Sequence, residues 1–500
     1  MTAKTPLARD DMFDDIPLAP FDGLREECGV FGICARNTDV VSAVFHALFA
    51  LQHRGQESAG IAVNRGGVIA LHKGLGLVGE VFTKEAMEKL AGGELAVGHC
   101  RYATTGEKHN FSNAQPLLVN HLKGMMALAH NGNLVNTHEM RSKFEQKGAI
   151  FHTTSDTEVM AYVITQERLQ SDSVEEAVKR SMKRIKGAYS AVIMSPRKLV
   201  AVRDPFGFRP LCIGKLDGGH VFASESCALD AVGATFVRDV LPGEIVVATL
   251  DGSITSIMPE ENHPRALCAF ELIYFARPDS VIDGTSVHAS RLRAGAMLAI
   301  NHPVQADVVV GVPDSGLDAA LGYARQSGIP FGYGFIKNKY IARTFIAPEQ
   351  STRAHAVRIK LNPIAETVRN KRVVLVDDSL VRGTTQKRIV KLLREAGASE
   401  VHVRLSAPPF RHPCYFGTDV DSVEYLIAHN HSIDEICGII GADSIGFFRV
   451  EDIPKLSSSG CGSFCDACFT GNYPVAISKQ TGKHKYETRL PDEEFLTTSQ

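Results

Sequence analysis

No apolar run in these 500 residues approaches the roughly 18 residues of a membrane-spanning helix, which excludes a helical membrane protein. The N-terminus lacks a charged-then-apolar leader, so nothing there directs export. Charge of one sign is not in excess: 54 Lys and Arg stand against 56 Asp and Glu, a net of −2. No basic arm or helix-turn-helix pattern accompanies that balance, which argues against nucleic acid as a partner. Internal repeats are also absent. These absences predict a cytoplasmic globular protein with neither membrane nor nucleic-acid partners. In that compartment the 11 cysteines read as metal ligands, nucleophiles or small core residues rather than disulfides.

What is present suffices for more than one core. The composition, 44% hydrophobic and 22% charged, is that of a globular protein, and the length predicts two or three domains. Residues 28–255 carry short strand-like runs: GVFGICA, GIAVN, GVIALH, LAVGHCRY, MMALAHNG, AYSAVIM, KLVAVRD, HVFASE and GEIVVATL. Periodic stretches around 38–52 and 155–185 read as helices. The pattern is sheet on sheet, or sheet with helices, rather than βαβ. From about residue 290, β-branched runs (ADVVVGVP, RVVLVDDS, EVHVRLSA, GTDVDSV) alternate with helical stretches, which predicts a parallel α/β sheet. The boundary falls near PEENHPRA (259–266), giving domains at 28–260 and 261–455 and a Cys-rich tail at 456–500. Residues 1–27 are acidic, Pro-containing and aperiodic.

The sharpest local signal is RVVLVDDSLVRGTTQKRIVKLL, residues 372–393. A buried strand ends in Asp377 and Asp378, and Gly383, Thr384 and Thr385 open a helix whose unpaired N–H groups and dipole suit an anion. The two acids leave the carboxyl end of the strand, where open α/β sheets bind ligands and where ribose hydroxyls or a hard cation would be met. Otherwise it is a solvated Asp-Asp turn before a capped helix. The stretch resembles the 5-phosphoribosyl-1-pyrophosphate (PRPP) motif of type I phosphoribosyltransferases. That resemblance implies phosphate and ribose binding by Asp377, Asp378, Ser379, Arg382, Gly383, Thr384 and Thr385. In DVVVGVPDSGLDAA (307–320), Ser315 is the candidate oxygen ligand to Mg²⁺ beside Asp377 and Asp378. KNKYIARTFI (337–346) offers Lys337, Lys339 and Arg343 to pyrophosphate, or is a solvated basic face.

In the front half, REECGVFGI places Cys28 immediately before a strand, where an ordinary buried cysteine would also fit. LQHRGQESAGIA (51–62), GHCRYATTG (98–106), HNGNLVN (130–136) and TTSDTE (153–158) are polar, Gly-rich junctions at strand ends. With Cys28 they resemble, in order, the N-terminal-nucleophile glutamine amidotransferase domain over about 28–255, which implies an αββα sandwich. In that family the nucleophile is an N-terminal cysteine whose own amine, with a pKa of about 7.7–8.0, shuttles protons. The resemblance therefore implies that residues 1–27 are a propeptide cleaved between Glu27 and Cys28. It also implies an oxyanion held by the Asn131 side chain and the Gly132 N–H, and a glutamine substrate held by Arg101 and Asp156. Apart from it, Arg101 reads as a surface ion pair and Asp156 as a helix cap. His53, His99 and His130 read as structural, since the amine replaces an imidazole base.

The tail contains CGSFCDACFTGNYP (461–474), in which Cys465-x-x-Cys468 has the spacing to share a metal; by spacing alone zinc and iron–sulfur are equally suited. The contexts of Cys268 (RALCAFELIYFARPDS) and Cys414 (PPFRHPCYFGTD) are similar to those of the iron–sulfur subclass of glutamine PRPP amidotransferases. That resemblance covers roughly 28–475. It implies one structural [4Fe–4S] cluster per subunit on Cys268, Cys414, Cys465 and Cys468, with Cys461 a possible substitute, and one Mg²⁺. It further implies glutamine hydrolysis in the front domain and ammonia transfer to C1 of PRPP in the rear one, giving 5-phosphoribosylamine for purine synthesis. A homotetramer inhibited by purine nucleotides is also implied. The alternatives are a glutaminase serving another acceptor and a non-catalytic sensor of PRPP or nucleotides.

Overall fold

The computed structural model describes residues 28–102, 110–338, 361–418, 420, 422–457 and 463–477. The expected propeptide, Lys339, Arg343 and Cys461 lie outside them.

In the front half, alternation along GVFGICA decides the layering. Phe31 and Ile33 point to the helix Val40–Ala50, while Val30 and Cys34 point into the space between two sheets, so the whole strand Gly29–Ala35 is buried. Across the first sheet the strands run Thr235–Asp239, Cys212–Leu216, Gly219–Ala223, Gly29–Ala35, Leu95–Arg101, Ser58–Arg65 and Val68–Leu75. The second sheet runs Ile254–Ile257, Ile245–Thr249, Lys198–Arg203, Gly187–Met194, Gly124–Leu134 and Leu117–His121. The helices Asp156–Leu169 and Val174–Met182 cover its outer face and complete the helix–sheet–sheet–helix sandwich. The single helix expected over 155–185 is two, because Ser173 starts a new one by accepting the Glu176 N–H at 3.2 Å.

The rear half is the expected parallel sheet, ordered Val308–Gly311, Arg372–Asp377, Glu400–Leu405 and Ser444–Phe447. Its fourth strand corrects one expectation. GTDVDSV contributes no described strand and leads into a 3-10 turn at Val423–Tyr425, while SIGF (444–447) pairs with Glu400–Leu405. Asp419 and Asp421 lie outside the described residues. Helices Gly316–Ser327 and Thr384–Glu395 follow the first two strands, so their N-termini open at the carboxyl edge.

The halves share a core. Val135, Ala188 and Phe208 from the front pack with Ala266, Phe416, Cys465 and Ala467, and the Phe208 and Phe416 rings stack 4.3 Å apart. The tail's Phe464–Cys465 pairs in parallel with Leu267–Cys268, which stitches the end of the rear half to its beginning. Among the described residues no helix is long and apolar enough to cross a membrane.

Candidate active sites and a cysteine cluster

Cys28 is 4% exposed, and its Sγ donates to the Tyr102 carbonyl at 3.2 Å and lies 3.4 Å from the Tyr102 N–H. Because Gly29 pairs with Cys100, the thiol sits at the strand end that carries Arg101. Arg101 is buried rather than on the surface, and its Nη1 faces Glu57 Oε2 at 3.8 Å. A bond between His99 Nε2 and the His130 carbonyl, 3.0 Å, crosses from one sheet to the other. It brings Asn131 and Gly132 to the same end of the sandwich as Arg101. The carbonyl makes Nε2 the protonated nitrogen, and burial pushes the His99 pKa down to about 3, so the ring is a neutral strut.

Asn131 is 1% exposed, yet its Nδ2 has no hydrogen-bond partner among the described residues. An unpaired buried donor is costly, so one at the Cys28 end of the sandwich suits an acceptor that arrives later. Gly132 follows at φ +135°, and a Cβ there would lie 2.2 Å from the Ala188 carbonyl, so only glycine fits. Asp156 is not the helix cap. Ser155 caps by accepting the Thr157 N–H, while Asp156 Oδ2 accepts the Leu134 N–H at 3.0 Å, two residues beyond Gly132.

In the rear half the two acids have different surroundings. Asp377 is turned inward: its oxygens accept from the Asp378 N–H and Gln386 Nε2, and burial, then Asp378, pushes its carboxyl well up. Asp378 meets Ser315, whose Oγ donates to Oδ1 at 2.7 Å, and the Ser379 hydroxyl donates to its other oxygen. Gly383, at φ +86°, caps the helix that begins at Thr384 and Thr385. The Arg382 guanidinium lies 4.4 Å over the Tyr425 ring, and Lys337 pairs with Asp314.

Cys268 and Cys465 are paired across the two short strands. Burial, then the neighbouring Cys414, Cys268 and Cys465, pushes the Cys468 thiol well up; burial is the largest cause that raises Cys465 to about 12. Four thiols from three chain segments thus neighbour one another, Cys268 and Cys465 buried and Cys414 and Cys468 half-buried. Among the described residues no three His, Cys, Asp or Glu converge as single-ion ligands.

Three residues without an expected role frame the front site: Arg54, whose Nε donates to the Cys28 carbonyl at 3.2 Å, Glu271 and Arg209. A usable signal was in the sequence. Glu271 is the lone charge in CAFELIYFA, and an acid in such a run must find a buried partner.

Residues 99–231 match the glutamine amidotransferase domain and residues 291–414 the phosphoribosyl transferase domain. The chain is similar to the amidophosphoribosyltransferase of Bacillus subtilis, 48% identical over 470 residues, covering 93% of this chain and 97% of that one. It is 45% identical over 489 residues to the Synechococcus elongatus amidophosphoribosyltransferase, covering 97% and 98% respectively. The solved structure of glutamine PRPP amidotransferase from B. subtilis complexed with ADP and GMP is similar at a TM-score of 0.84 and 47% identity. It covers 91% of this chain and 99% of that one.

Proposed function

The chain belongs to the amidophosphoribosyltransferase family and catalyses glutamine-dependent amidotransfer to PRPP in purine biosynthesis, and from that premise we propose how its residues divide the work. Cys28, as first residue of the mature chain, attacks the side-chain amide of glutamine. Its thiolate forms a γ-glutamyl thioester as ammonia leaves, and water then releases glutamate. The free α-amine takes the thiol proton and returns one to the leaving nitrogen, which a peptide nitrogen cannot do; residues 1–27 are therefore removed. Asn131 Nδ2 and the Gly132 N–H receive the oxyanion, Arg101 the substrate carboxylate and Asp156 its ammonium. The observation that carries this reading is the buried Asn131 amide, whose Nδ2 has no partner among the described residues, beside a glycine that nothing else can replace.

In the rear site the Thr384–Thr385 helix end and Gly383 take the 5′-phosphate, with Ser379 and Arg382 flanking it, and Lys337 and Arg343 reach the pyrophosphate. Ser315 and Asp378, backed by Asp377, form an oxygen-only donor set that fits one Mg²⁺ per subunit. A cation held there would supply charge neutralisation to the pyrophosphate leaving group. The four gathered thiols of Cys268, Cys414, Cys465 and Cys468 suit one [4Fe–4S] cluster per subunit, which would tie the tail to the body. Purine nucleotides act as inhibitors, a reading supported by the relative solved with ADP and GMP. The working form is a cytoplasmic homotetramer.

The test is intact mass, N-terminal sequence and iron and sulfide content of anaerobically purified protein. The expected chain starts at Cys28 and carries a four-iron cluster. Active protein that still begins at Met1 or Thr2 would overturn the nucleophile assignment.

A further inference from the structure

Glu271 opens a short turn, Glu271–Phe275, in the rear half, and its side chain is fully buried. Arg54 Nη2 donates to its Oε1 at 2.8 Å and Arg54 Nη1 to its Oε2 at 3.0 Å, a bidentate pair. Arg209 Nη1 donates to the same Oε1 at 3.2 Å. One rear carboxylate thus stands between two guanidiniums of the front half.

Each guanidinium continues into the front site. Arg54 donates through Nε to the Cys28 carbonyl at 3.2 Å and through Nη1 to Glu225 Oε1 at 2.6 Å. The rear segment reaches Glu225 as well, because the Arg277 N–H and Ser280 Oγ donate to its Oε2 at 2.9 and 2.7 Å. Arg209 grips the Phe416 carbonyl through Nε and Nη2 at 3.2 and 2.8 Å. The backbone it grips lies on the oxyanion strand: a Cβ at Gly417 would sit 3.5 Å from Gly132 Cα, and Asn133 Nδ2 donates to the Tyr415 carbonyl at 2.8 Å. Cys28 and Gly132 are therefore tied to one carboxylate by two short routes.

We propose that Glu271 is a positioning residue for glutamine hydrolysis, supplied by the rear domain, and that the front site is incomplete without it. This rests on the assignment of Cys28, Asn131 and Gly132 to that site. Glu271 touches no substrate. It fixes the distance between nucleophile and oxyanion donors, a separation in which a shift of about 1 Å is worth about 100-fold in rate.

The experiment compares glutamine-dependent with ammonia-dependent phosphoribosylamine formation in the holoenzyme, since added ammonia bypasses the front site. Glu271→Gln is expected to lower kcat with glutamine about 100-fold while the KM for glutamine and the ammonia-dependent rate stay within about twofold. Because that change leaves two buried guanidiniums short of a carboxylate and can cost the fold, Glu271→Asp is measured beside it. It keeps the charge, retracts it by one methylene, and should lose about tenfold with glutamine alone. A parallel fall of both activities in the Asp variant, or full glutamine activity in either variant, would overturn the proposal. Cys28→Ala separates the two readings: if it retains glutamine-dependent activity, the site assignment fails and not merely the role of Glu271.

Discussion

The two halves prepare for their ligands in opposite ways. The front site holds a neutral donor, Asn131 Nδ2, in a rigid β framework, where it has no partner among the described residues. In the rear site the charged Asp378 is engaged by the Ser315 and Ser379 hydroxyls, and the groups that would meet phosphate are backbone ends of a helix and long basic side chains. The chemistry explains the contrast. An oxyanion appears only in passing and is best met by fixed dipoles, whereas PRPP arrives fully charged and must be bound, neutralised and let go. A sandwich interior suits the first task and the open edge of a parallel sheet the second.

The sharpest way to break that comparison is to disable one half at a time. Cys28→Ala should lower the glutamine-dependent rate by about 10⁴-fold or more and spare the ammonia-dependent rate. Asp378→Asn should lower both together by about 10²-fold or more, as the loss of the proposed cation site would. A Cys28→Ala enzyme that fails with ammonia would show that the halves are not separable. A smaller effect sharpens the claim about fixed dipoles: Asn131→Ala should cost about 10²–10³ in kcat with glutamine and little in KM, because the amide acts on the transition state. A loss confined to KM would make it a ground-state contact instead.

The smallest effect concerns the strut between the sheets. The His99 ring ordinarily titrates near 6.5, but burial lowers it to about 3. As pH falls below 6.5 the unfolded chain gains a proton that the folded ring refuses, so stability is full above 6.5 and is lost towards pH 3. At pH 5 the deficit should be about 2 kcal/mol, read as a lower urea midpoint for the front-domain transition than at pH 7. His99→Gln should flatten that difference, and equal slopes for both proteins would remove His99 from the account.

Much of this contrast was legible in the sequence, for reasons of range. Strand runs such as GVFGICA and RVVLVD declare themselves within a few residues, and so do Gly383 with Thr384 and Thr385 at a helix start. The fourth rear strand, SIGF, was missed because four residues with a central glycine carry little strand signal, while GTDVDSV carries a stronger one and does not pair there. The contacts of Arg54, Arg209 and Glu271 span up to 217 residues, and no local pattern encodes them. That Asp377 turns inward and Asp378 meets Ser315 was equally hidden, since neighbouring acids look alike until the strand is placed in its sheet.

Where this chain should be cut is not where its backbone thins. The last strand of the sandwich ends at Ile257, and a dissection by shape would stop there. By charge the seam lies later. Glu271 serves Arg54 and Arg209, while Asp283 holds Arg203 through two bonds of 2.8 and 2.9 Å, so a fragment ending at Ile257 leaves three guanidiniums without those carboxylates. Anyone grafting this glutaminase onto a different acceptor domain inherits that debt. The graft must carry the segment through Asp283, or the new partner must present two acids at the same places.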